Sequence, residues 1–231
     1  MGAYIVSMVT YSGLGIKLVE TSRQNIIKSA YSAINTGASS YKIRSKLEAF
    51  LVSTGIVALA EMGDKTQLLA LLLAARFKRP WPIVWGIFFA TVLNHAVAAA
   101  LGAWITTLIS PQTLRWILGA SFIAMAVWML IPDKVDSEAD KAPMRYGVFG
   151  TTLVLFFLAE MGDKTQIATV MLAARFDAYV AVVAGTTFGM MLANAPVVWL
   201  GERITRLVPL RVVHTVSAIV FLGLGLLAIF A

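Results

Sequence analysis

The chain has 231 residues, of which 59% are hydrophobic and only 13% charged, whereas a soluble domain averages about 25% charged residues and 45–50% apolar ones. That balance excludes an ordinary soluble enzyme or binding module and predicts an all-α, polytopic membrane protein. The absence of cysteine excludes a disulfide framework or a thiolate metal site, and the formal charge of +7 is read as basic cytoplasmic loops, with no nucleic-acid partner.

In chain order, residues 1–46 read as an N-terminal extension, flexible and dispensable. "MGAYIVSMVTYSGLGIKLVE" lacks a basic region ahead of it and makes a poor signal peptide, and the Ser-rich stretch after it is polar. One reading starts the working protein near Leu47. Apolar runs then fall at about 50–74, 81–107, 114–131, 147–174, 179–201 and 212–231. Crossing ~30 Å of hydrocarbon takes roughly 20 residues at 1.5 Å each, so all six are expected to span as helices. Long runs without alternation do not describe barrel strands. The stretch "PDKVDSEADKAPMR" at 132–145 is the longest polar break and reads as a central loop between residues 47–131 and 146–231.

Those two parts repeat each other. "LAEMGDKTQ" stands at 59–67 and again at 158–166, "LAARF" at 73–77 and at 172–176, and Gly86 and Gly102 match Gly185 and Gly201, all at one offset. Three spans per copy is an odd number, so the copies should enter the membrane from opposite sides as two inverted three-helix repeats, an arrangement of secondary transporters with midplane sites. Basic residues after spans one, three and five (Arg76, Lys78, Arg79, Lys134, Lys141, Arg145, Arg203, Arg206, Arg211) outnumber Arg115 and Arg175 opposite, favouring a cytoplasmic central loop. Lys42, Arg44 and Lys46 ahead of span one argue the other way.

Each repeated segment places charge in the middle of an apolar run. On a continuous helix Glu61, Asp64 and Lys65 would share a face with Gln67 flanking, as would Glu160, Asp163, Lys164 and Gln166. Four acids at membrane depth would cost of order 10 kcal/mol even on the lenient scale of about 2.5–3.5 kcal/mol each. Ion pairs Glu61–Lys65 and Glu160–Lys164 along each helix would account for the glutamates and leave Asp64 and Asp163 over. A shared midplane cavity uses all four. Hard divalent cations accept such carboxylate crowding, whereas zinc or copper sites recruit Cys or His. Gly63 and Gly162 would permit a kink that frees a carbonyl, and Thr66 and Thr165 could add hydroxyls. Neighbouring negative charge and desolvation both favour the protonated acid, so a site without cargo would hold protons that a cation displaces. Lys65 and Lys164 would offset residual charge or orient the acids. His95 and its counterpart Asn194, in spans two and five, are expected to line the cavity or to bond between helices.

The twin "EMGDKT" at 61–66 and 160–165 resembles the motif of the small Ca2+/Mn2+:proton antiporter family, to which Golgi manganese transporters and bacterial manganese exporters belong. The resemblance covers about residues 47–231 and implies Glu61, Asp64, Glu160 and Asp163 as metal ligands. It implies a secondary active transporter, not an enzyme, that exports Mn2+ or Ca2+ in exchange for H+, with no prosthetic group. The compact size looks more like a bacterial inner-membrane member than an organellar one. Export of a small organic cation or amino acid is the alternative reading. Membrane lipid is the other expected partner, and a homo-oligomer is left open.

Overall fold

The structure is a computed structural model that describes residue 28 and residues 39–131, 146–201 and 210–230. The expected central loop 132–145, most of the extension 1–46, and the stretch 202–209 lie outside the described residues. The chain divides into two units, Met1–Ser45 and Lys46–Ala231. In the smaller, residues 39–45 are helical. In the larger, the described residues are all-helical: α1 (46–61), α2 (Lys65–Phe77), α3 (Pro80–Leu108), α4 (Pro111–Trp128), α5 (Gly147–Glu160), α6 (Lys164–Arg175), α7 (Tyr179–Leu200) and α8 (Leu210–Phe230).

Three helices, Pro80–Leu108, Tyr179–Leu200 and Arg211–Phe230, are long and apolar enough to cross a membrane, and Gly147–Glu160 is a shorter apolar helix. The surface of α3 shows why water is the wrong solvent. Trp81, Trp85, Phe89, Leu93, Val97, Leu101, Trp104 and Leu108 are all exposed at steps of three or four residues. They form one apolar stripe with tryptophan at both ends, about 35 Å from Trp81 to Trp104 at 1.5 Å per residue. A hydrocarbon core of about 30 Å with aromatic belts at its margins matches that stripe. This is a membrane protein.

The expected first and fourth spans are not continuous helices. Residues 62–64 and 161–163 leave the helix, so α1 and α2 are separate pieces, as are α5 and α6. The cause is local. Gly63 and Gly162 take φ of +83° and +72°, a left-handed backbone that glycine adopts without a Cβ clash. Asp64 and Asp163 follow in extended conformation as the N-caps of α2 and α6.

Packing between helices comes in pairs separated by the repeat offset. A Cβ on Gly86 of α3 would meet Thr152 and the Phe149 carbonyl of α5, and one on Gly185 of α7 would meet Ser53 and the Phe50 carbonyl of α1. These close approaches seat α3 against the second copy's broken helix and α7 against the first copy's. α3 also packs on α6 and α7 on α2, while α4 lies along α8. Both helix breaks are thereby held between α3 and α7.

Candidate metal centre

Each break sets an acid on either side of it. Glu61 closes α1 and Asp64 opens α2; Glu160 closes α5 and Asp163 opens α6. A glutamate at a helix C-terminus is opposed by the helix dipole, so this placement costs stability. Asp is a preferred N-cap because its carboxylate accepts a first-turn N–H. Here neither aspartate side chain makes that bond. The first turns are tied instead by backbone bonds, Gln67 N to Asp64 O at 3.1 Å and Ile167 N to Asp163 O at 3.1 Å. Both carboxylates are left to turn elsewhere.

They turn toward the other copy. Lys65 Nζ lies 3.5 Å from Asp163 Oδ1, and Lys164 Nζ lies 3.9 Å from Asp64 Oδ1. The alternative ion pairs Glu61–Lys65 and Glu160–Lys164 give way to crossed ones, because the break puts each glutamate and lysine on different helices. The expectation that Glu61, Asp64 and Lys65 share one helical face, and likewise Glu160, Asp163 and Lys164, is corrected for the same reason.

The glutamates are held by their own copy's threonines. Thr66 Oγ1 donates to Glu61 Oε2 at 2.7 Å, and Thr165 Oγ1 donates to Glu160 Oε2 at 2.8 Å. The hydroxyls expected as extra ligands thus support the acids. The glutamines brace the breaks: Gly63 N donates to Gln67 Oε1 at 3.0 Å, and Gly162 N to Gln166 Oε1 at 2.7 Å. Their amide nitrogens reach across the molecule, Gln67 Nε2 to the Ala193 carbonyl at 3.1 Å and Gln166 Nε2 to Asn94 Oδ1 at 3.4 Å. Asn194 Nδ2 lies 3.4 Å from Glu61 Oε2 and also contacts Met190.

One carboxylate oxygen from each of Glu61, Asp64 and Asp163 lies within 4.8 Å of the others, and all three residues are buried. Two oxygens on opposite sides of a calcium-sized ion stand about 4.6–5.2 Å apart, twice the usual 2.3–2.6 Å bond. The cluster is therefore of ion size. Glu160 is fully buried but lies outside that three-residue group. Glu61 Oε1, Glu160 Oε1 and Asp163 Oδ2 have no hydrogen-bond partner among the described residues. Buried carboxylate oxygens without donors are costly unless a cation or proton satisfies them.

Of two further contributors, one stands beside His95 in the sequence and one carries no sequence signal. Asn94, adjacent to a residue that was singled out, anchors α3 by donating to the Phe157 carbonyl at 3.0 Å while accepting from Gln166. The Ala193 carbonyl is backbone, and no residue letter announces it.

The family model described as "Divalent cation/proton antiporter GDT1" matches residues 49–137 and again 148–231. A protein of Vibrio cholerae serotype O1 named "Putative manganese exporter" is 49% identical over 180 residues, covering 78% of this chain and 89% of that protein. "GDT1-like protein sll0615" of Synechocystis sp. is 26% identical over 195 residues, covering 76% and 93%. "GDT1-like protein 3" of Arabidopsis thaliana is 26% identical over 212 residues, covering 80% and 72%. No solved structure matches the chain. The twice-matched family model and the Vibrio relative lead to one conclusion: this chain belongs to the divalent cation/proton antiporter GDT1 family.

Proposed function

We propose that the protein expels Mn2+ or Ca2+ across a bacterial plasma membrane in exchange for protons, through a midplane site built from Glu61, Asp64, Glu160 and Asp163. The observation that carries this reading is the ion-sized convergence of Glu61, Asp64 and Asp163, drawn from both copies of one motif. Six crossings arranged as two inverted repeats, with α1–α2 and α5–α6 each forming one interrupted crossing, suit such a site. Interrupted helices in transporters place helix ends and freed carbonyls at the substrate.

Charge supports exchange. Four acids against Lys65 and Lys164 leave two negative charges when every group is ionised, which one divalent ion or two protons would cancel. An ion entering the cluster competes with the crossed lysine contacts for Asp64 and Asp163 oxygens. Protons arriving from the other side compete with the ion for the same oxygens, so binding of one favours release of the other.

The test is a panel of divalent ions offered to inverted vesicles, wild type beside Asp64→Asn, with proton release recorded. Mn2+ or Ca2+ should drive proton movement in wild type and not in the variant. Equal exchange by both proteins would remove Asp64 from the site, and amino acid flux without a metal response would replace the metal reading altogether.

A further inference from the structure

The paired contacts predict one more that is not made. Lys65–Asp163 is mirrored by Lys164–Asp64, Gln67–Ala193 by Gln166–Asn94, and Gly86–Thr152 by Gly185–Ser53. Each mirror image is the same pair shifted by one repeat. The contact of Asn194 Nδ2 with Glu61 Oε2, shifted by one repeat, would pair His95 of α3 with Glu160. His95 is fully buried, and neither ring nitrogen has a hydrogen-bond partner among the described residues. Glu160 Oε1 is equally without a partner. Both residues lie outside the trio of Glu61, Asp64 and Asp163, and each keeps buried polar atoms without a partner, which marks a place where something is to be bound.

We infer that His95 is the selectivity residue of the cation site, offering a ring nitrogen to the transported ion on the Glu160 side and so favouring Mn2+ over Ca2+. Calcium takes oxygen ligands almost exclusively. An uncharged imidazole is a ready ligand for first-row transition ions, and it gives calcium little. At the mirror position the chain has an amide in Asn194, whose Nδ2 is engaged by Glu61 and Met190 and which supplies no nitrogen lone pair. The site is thus built from two equal sets of acids and one unequal pair of neighbours. The inequality gives it a preference that carboxylates alone would lack.

The inference rests on the proposed cation site, and the experiment separates the two. Mn2+ is added to the purified full-length protein, and nitrogen coupling to the bound ion is recorded by pulsed electron paramagnetic resonance. In parallel, Mn2+ and Ca2+ uptake are compared in inverted vesicles for wild type, His95→Asn, His95→Gln and Asp64→Asn. Wild type should show an imidazole nitrogen coupled to Mn2+, a measurement that requires no variant to fold. His95→Asn, which makes the two repeats alike at this position, should lose the coupling and lower the Mn2+ to Ca2+ ratio by about tenfold or more. His95→Gln, closer in volume, should do the same. Nitrogen coupling that is absent from wild type or that persists in His95→Asn overturns the role of His95. So does an unchanged ion ratio. If Asp64→Asn abolishes transport in the same series, the carboxylate site stands without His95; if it does not, the site itself falls.

Discussion

The two copies of LAEMGDKTQ have the same letters, the same break and the same threonine and glutamine side-chain bonds, yet their surroundings differ. Lys164 is 3% exposed where Lys65 is 32% exposed. Met161 lies open at 57%, whereas Met62 is only partly exposed. Glu61 has Asn194 beside it, and among the described residues Glu160 has no such amide. An identical motif therefore supplies the acids twice, and the helices packed around it decide how each acid is used.

The largest effect should come from the aspartates, where the comparison predicts equality. Asp163→Asn and Asp64→Asn should each reduce metal-driven proton movement by about 100-fold or more, since even outer partners of a bound metal contribute 10–100-fold. Vesicle transport beside a measurement of protein in the membrane checks it. A large difference between the two would break the idea of a jointly built site.

The lysines should be unequal. Removing one partner of a buried ion pair costs about 3–5 kcal/mol, and a partly exposed pair far less. Lys164→Met should therefore lower the melting temperature of detergent-purified protein clearly more than Lys65→Met. The reverse order would mean that the burial difference does not control these contacts.

The smallest effect is expected at the breaks. A Cβ at Gly162 meets nothing within 4 Å, so Gly162→Ala tests backbone conformation alone. A non-glycine residue in the left-handed region costs about 1–2 kcal/mol. The variant should unfold at a lower temperature by that margin and transport more slowly if α5 and α6 straighten toward one helix. Unchanged stability would show that the turn does not depend on glycine.

Much of the candidate site was legible in the letters. Apolar runs interrupted by acids announced a membrane protein with buried charge, because no soluble fold needs such composition and no membrane tolerates idle carboxylates. The repeated motif named Glu61, Asp64, Glu160 and Asp163 before any coordinates. What could not be read was where those side chains point. Glycine at the centre of each motif is compatible with a kink, a close approach or a full break, and a helical wheel assumes none of them. Once α1 and α2 separate, every same-face argument across residues 61–65 fails.

By itself, then, the sequence determined composition, solvent, repetition and the identity of the acids, all of which are properties of letters and their spacing. Only the tertiary structure decided that Lys65 answers Asp163 and Lys164 answers Asp64, that Gln67 and Gln166 reach α7 and α3, and that Glu61 rather than Glu160 joins the close trio. The reason is physical. These contacts join residues roughly a hundred positions apart, and their geometry depends on how whole helices pack around two breaks, which no local preference encodes.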